Sequence, residues 1–169
     1  MTAFYIHYPF CRAKCPYCDF NSHVRDSIDY HSLNQAYFKE IEYFAQNSID
    51  KKITSIFFGG GTPSLMPIKL VDSILKKISQ EFKIEKNCEI TLEANPTSSE
   101  AKKFSDLKII GINRLSIGVQ SLIDNDLKFL GREHSAIEAI KTIETACDIF
   151  DNFSFDLIYA RPNQTIHSC

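Results

Sequence analysis

The sequence predicts an α/β protein made of successive βα units on a parallel sheet, and three observations carry that expectation. Short runs rich in β-branched and aromatic residues alternate with longer segments whose apolar residues recur at three- and four-residue spacing. Five such strands can be read, alternating with helical stretches, which implies parallel strands joined by crossovers, either wound as an open sheet or curved into a barrel. No Pro/Gly/Ser-rich linker and no low-complexity segment divides the 169 residues, so one globular unit is expected.

The first strand is Ala3 to Tyr8, stopped by Pro9 and leading into a cysteine loop. From Tyr30 to Gln46 the residues Leu33, Ala36, Tyr37, Ile41 and Phe44 mark an amphipathic helix. Ile53 to Phe58 reads as the second strand, ended by Gly59-Gly60-Gly61, and Leu70, Val71, Ile74, Leu75 and Ile78 mark the next helix. Cys88 to Glu93 is the third strand, closed by Asn95-Pro96, and Ser98, Ser99 or a neighbouring threonine caps a helix running to about Ile110, where Gly111 ends it. Asn113 to Val119 is the fourth strand, Asp124 to Leu130 a short helix, Ser135 to Phe150 a long one, and Phe153 to Tyr159 the fifth strand.

Composition narrows the function classes. With 44% hydrophobic and 24% charged residues and a formal charge of -2, the chain has no basic field to attract nucleic acid. No apolar run approaches the roughly 20 residues that span a bilayer, and the N-terminus lacks a signal-peptide pattern, so a cytoplasmic protein is expected. The chain stops a few residues past the fifth strand, whereas a full (βα)8 barrel takes about 250 residues, so it reads as the first part of a larger domain.

Three of the 6 cysteines, Cys11, Cys15 and Cys18, lie close together, while Cys88, Cys147 and Cys169 stand alone and read as incidental or buried thiols. Clustered thiols in a reducing compartment point to metal or redox chemistry. A 4Fe-4S cluster is usually tied by four thiolates, one per iron, so three would leave an iron open to chelate a small molecule. Arg12 and Lys14 supply positive charge that favours thiolate. Two rivals share the spacing: a dithiol redox module built on Cys15-Pro16-Tyr17-Cys18, and a Cys3His zinc site with His7 or His23 as fourth ligand. Cys11 and the repeated βα units count against the dithiol. The glycine turn favours iron-sulfur over zinc, since it lets backbone approach a ligand and offers N–H and C=O groups to its polar ends. Neither the Gly-Lys-Ser/Thr ending nor the Gly-x-Gly-x-x-Gly spacing of a phosphate loop is present.

Taken together, Cys11-x-x-x-Cys15-x-x-Cys18 and Gly59-Gly60-Gly61-Thr62-Pro63 resemble the radical S-adenosylmethionine (SAM) superfamily. With Tyr5 to Cys11, Cys18 to His23, Glu93-Ala94-Asn95-Pro96, Gly118-Val119-Gln120-Ser121 and Pro162-Asn163-Gln164-Thr165, the chain is similar to the HemW haem chaperones, relatives of oxygen-independent coproporphyrinogen III oxidase. The resemblance implies a partial (βα)6 radical SAM barrel over residues 1–169, with the family's C-terminal domain absent. It implies a 4Fe-4S cluster on Cys11, Cys15 and Cys18 and SAM on its fourth iron. Tyr5 and Tyr17 would line that pocket, Gly60, Gly61 and Thr62 would meet the methionyl part, and Glu93, Gln120, Arg132 and Asp156 would contact the remaining polar groups. Arg132 rests on the resemblance alone, since Gly131-Arg132-Glu133 otherwise reads as a solvated helix end. Haem and haem-acceptor proteins are the implied partners.

Two departures bear on function. Phe20 stands where the decarboxylating oxidases carry a further cysteine, which favours the chaperone over porphyrinogen oxidation by a SAM-derived radical. Ala160-Arg161 replaces the glycine and leucine common before this proline. A further alternative is a non-functional truncated remnant.

Overall fold

The computed structural model describes residues 2–166, so Cys169 lies outside it. Strand β1 (Thr2–Tyr8) leads into a small parallel pair, β2 (Phe10–Cys11) and β3 (His23–Val24), that brackets the cysteine loop. Then follow helix α1 (Tyr30–Asn47), β4 (Lys52–Gly60), α2 (Ile68–Glu81), β5 (Lys83–Ala94), the short helices α3 (Ser98–Ala101) and α4 (Phe104–Ile109), β6 (Arg114–Gln120), α5 (Asp124–Phe129), α6 (Ala136–Ile149) and β7 (Phe153–Leu157).

The main sheet has the order β1-β4-β5-β6-β7 and every pairing in it is parallel. This order rises steadily along the chain, without the reversal that defines a doubly wound sheet. Of the two arrangements open to parallel βα units, the strands follow that of a barrel.

Alternation along the strands separates core from site. In β6, Leu115, Ile117 and Val119 are buried, whereas Ser116, Gly118 and Gln120 turn to the other face. The buried set continues across Ile56 and Phe58 of β4 and Leu92 of β5. Helix α2 packs on it through Leu70, Val71, Ile74, Leu75 and Ile78, the stripe its spacing predicts.

Several boundaries differ from the sequence expectations for local reasons. Strand β4 does not stop before the glycines: Gly59 pairs with His7 and Gly60 with Tyr8, because β1 continues alongside. Strand β5 begins at Lys83 rather than Cys88, pairing Lys83 with Lys52 before a register irregularity that absorbs the polar stretch Glu85-Lys86-Asn87. The helix expected to reach Ile110 breaks at Lys102-Lys103, and its cap is Thr97, whose side chain accepts from Glu100 N. Gly111, at φ 110°, closes α4 as a Schellman turn, with Gly111 N on Lys108 O and Ile112 N on Leu107 O. Ser135 and Glu138 form a reciprocal capping box that starts α6.

Candidate functional site

The C-terminal ends of the strands surround a cavity of about 170 Å³. Cys11, Cys15, Cys18, Tyr17, Gly60, Gly61, Thr62, Glu93, Gln120, Arg132 and Asp156 all line it. Tyr5 does not. It stands three residues before the end of β1, with its ring and hydroxyl against Gly59, where a Cβ would meet them at 2.9 Å. Its ring stacks on Phe57 with centroids 6.0 Å apart. Burial and the charge of Glu93 raise its pKa, so it stays a neutral phenol.

The three thiols are free and partly buried; Cys88 is free but buried in the core, which raises its pKa, and Cys147 is exposed. Among the described residues no three His, Cys, Asp or Glu side chains gather tightly enough to hold a single metal ion. A cluster requires a different geometry, one thiolate per iron. Of the two histidines considered as a fourth zinc ligand, His7 has Nε2 2.9 Å from the carbonyl of Asn21, and His23 is exposed in β3.

Of the N–H and C=O groups expected of the glycine turn, the N–H groups of residues 60–62 are bonded within the protein. Gly60 N donates to Glu93 Oε2 at 3.2 Å, Gly61 N to Tyr8 O at 2.7 Å and Thr62 N to Phe10 O at 2.9 Å. A Cβ on Gly61 would stand 2.5 Å from Phe10 O, so the turn and the cysteine loop approach more closely than any side chain permits. Burial raises the pKa of Glu93, an effect the Gly60 N–H opposes.

Arg132 is brought into the site by the end of α5. Gly131 adopts φ 66° in a second Schellman turn, with Gly131 N on Lys128 O and Arg132 N on Leu127 O, and this reverses the chain toward the cavity. The guanidinium then reaches Asn95 Oδ1 at 2.5 Å, Gly118 O at 2.8 Å, Tyr17 Oη at 3.4 Å and Cys15 Sγ at 3.5 Å. Its neighbour Glu133 pairs with Arg12 of the cysteine loop at 3.8 Å. Burial pushes the Tyr17 pKa up to about 12 although Arg132 opposes it, so Tyr17 remains protonated.

Other lining residues carried no signal of their own in the sequence. Glu100 is buried against Ser64 Oγ and Asn95 N, and burial raises its pKa. His134 is buried with Nε2 3.1 Å from Val119 O, and burial lowers its pKa. Gln120 ends β6 at φ 71°, a left-handed conformation that non-glycine residues seldom adopt outside constrained sites. Among the described residues the buried side-chain polar atoms without a partner are Ser22 Oγ and Arg132 Nε, and both residues line this cavity. Orphaned donors of this kind fit a polar ligand that completes their bonding.

Residues 5–169 match the radical SAM superfamily profile. The chain belongs to the radical SAM superfamily. Membership implies a 4Fe-4S cluster and SAM, and the free thiols and orphaned donors of the cavity fit such a pair. The haem chaperone HemW of Haemophilus influenzae is 43% identical over 168 residues, covering 96% of this chain and 44% of that protein. The bovine radical S-adenosyl methionine domain-containing protein 1, mitochondrial, is 38% identical over 98% of this chain and 38% of its own length. The chain thus spans less than half the length of these relatives. Among solved structures, coproporphyrinogen III oxidase (HemN) from Escherichia coli superposes with a TM-score of 0.86 at 29% identity, covering 98% of this chain and 39% of that one. Among the described residues no helix is long and apolar enough to cross a membrane.

The Ala160-Arg161 pair, read from the sequence as a departure from the HemW-like pattern, has a local account. Arg161 donates to Ile158 O and pairs with Asp126 at 2.6 Å, and Asp126 also accepts the Ser121 hydroxyl at 3.0 Å, so the arginine ties the turn after β7 to the start of α5. Ala160 stands at φ 58°, where glycine is the unstrained residue.

Proposed function

We propose that this chain is the cluster- and SAM-binding barrel portion of a HemW-like haem chaperone. Cys11, Cys15 and Cys18 would hold a 4Fe-4S cluster whose open iron takes the amino and carboxylate groups of SAM. When bound, the cluster supplies an electron and SAM the group that electron can cleave. The observation that carries the reading is the convergence of the three cysteines with Gly60, Gly61, Thr62, Glu93, Gln120, Arg132 and Asp156 on one cavity. Within it the chain's own residues have distinct tasks. Arg12 and Lys14 offset the charge of the thiolates, Arg132 offers its free Nε–H to an anionic group, and Glu93 and Asp156 suit an ammonium or ribose hydroxyls. Tyr17, held neutral, packs the cluster side of the pocket.

Haem binding and transfer rest on the name shared by several relatives, while the oxidase title belongs to the structural neighbour. Phe20 lines the cavity where the oxidases carry a further cysteine, which supports the chaperone reading. Anaerobic reconstitution tests it: the protein should bind about four iron and four sulfide per chain, and Cys11→Ala, Cys15→Ala and Cys18→Ala should each lose most of both. Haemin added to the same protein should then produce a saturable Soret shift. Iron uptake that is indifferent to all three substitutions would discard the cluster assignment, and coproporphyrinogen decarboxylation would replace the chaperone with the oxidase.

A further inference from the structure

Asn95 stands between two of the three thiols. Its backbone N–H donates to the buried Glu100 carboxylate at 2.8 Å, which fixes the turn after β5. Its side-chain oxygen accepts from Arg132 Nη2 at 2.5 Å, and its amide nitrogen donates to Thr62 Oγ1 at 3.3 Å. This orientation of the amide is forced. A guanidinium has only donors, so the oxygen must face Arg132 and the nitrogen must face Thr62. The Thr62 hydroxyl has one hydrogen, and because Asn95 fills its acceptor side, that hydrogen is free for Cys11 Sγ, 3.6 Å away. Arg132 Nη1 lies 3.5 Å from Cys15 Sγ. One side chain therefore aims a neutral donor at Cys11 and a charged donor at Cys15.

Hydrogen bonds to the sulfurs are among the features that set the potential of an iron-sulfur cluster, because donors stabilise the extra negative charge of the reduced state. We propose that Asn95 is a positioning residue that sets the cluster's reduction potential by holding Thr62 and Arg132 on Cys11 and Cys15. The inference rests on the reading that these cysteines hold a cluster. It extends that reading to a residue that touches no cluster ligand itself and acts only through its partners Thr62 and Arg132.

The test is a redox titration of the reconstituted protein followed by electron paramagnetic resonance, comparing wild type, Asn95→Leu, Thr62→Val and the double variant. With iron and sulfide content unchanged, Asn95→Leu should lower the midpoint further than Thr62→Val. Thr62→Val should add less in the leucine background than in wild type, since its hydroxyl is no longer aimed. A role in folding alone changes stability and leaves the midpoint of a fully loaded cluster where it is in wild type. Should the leucine variant lose its cluster, Asn95→Ser, polar but too short to span both partners, should show the same downward shift. A fully loaded variant with the wild-type midpoint overturns the proposal while leaving the cluster reading intact. A wild-type protein that takes up no cluster overturns both.

Discussion

Gly131 and Pro16 approach so closely that a Cβ on the glycine would stand 2.6 Å from the proline Cδ. The end of α5 and the cysteine loop are thereby locked together, with Arg132 and Glu133 adding polar contacts to Cys15 and Arg12 on either side. Gly131→Ala combines a left-handed backbone with this overlap, so it should destabilise the fold by about 2 to 4 kcal/mol. It should also reduce cluster uptake. Chemical denaturation and iron content measure the two effects, and an alanine variant with normal values of both would show the contact to be pliable.

Two other glycines separate shape from backbone freedom. Gly111, at φ 110° with nothing within 4 Å of a built Cβ, should lose about 1 to 2 kcal/mol on substitution by alanine and load the cluster normally. Gly61→Ala, forced against Phe10 O, should cost a comparable amount and also impair loading. Equal iron content in the two variants would contradict the role assigned to the glycine turn.

Much of this was open to sequence reasoning where a residue's signal is local. The stripe Leu70 to Ile78 and the alternation of Leu115, Ile117 and Val119 record burial directly, and the crowding of Cys11, Cys15 and Cys18 points to metal or redox chemistry without choosing between zinc, dithiol and iron-sulfur. Gly131 could have told more than it did. A glycine after a short helix marks a left-handed turn, and that turn redirects Arg132 from solvent to the cavity. Asn95, Glu100 and His134 were not legible, because an isolated polar residue takes its meaning from partners distant in the chain, such as Arg132 for Asn95 and Val119 for His134. The partners of the Gly60 and Gly61 N–H groups were hidden for the same reason: Glu93 and Tyr8 O are found beside them only after folding.

Ala160→Gly should stabilise the protein. Relief of the left-handed strain at φ 58° exceeds the extra entropy of an unfolded glycine, for a net gain of about 0.5 to 1 kcal/mol. A denaturation midpoint that rises with unchanged slope is the expected outcome; a fall would mean that the alanine methyl contributes packing.

His134 should make stability depend on pH in the mildly acidic range. Burial lowers its folded pKa below the ordinary 6.5, so the unfolded chain binds a proton that the folded one resists. Its contribution is therefore complete above pH 6.5 and is lost as pH falls through the lowered folded value. His134→Gln, which keeps a donor for Val119 O, should flatten the stability profile below pH 6.5. Parallel profiles for the two proteins would assign the dependence to other groups.

The central claim is that three cysteines hold a cluster with an iron open to SAM. Electron paramagnetic resonance of the anaerobically reconstituted, reduced protein, recorded with and without SAM, tests it most directly. The account predicts a reduced 4Fe-4S signal that changes on adding SAM and disappears in Cys11→Ala, Cys15→Ala and Cys18→Ala. A folded protein that shows no cluster signal, or a signal indifferent to SAM, would contradict it.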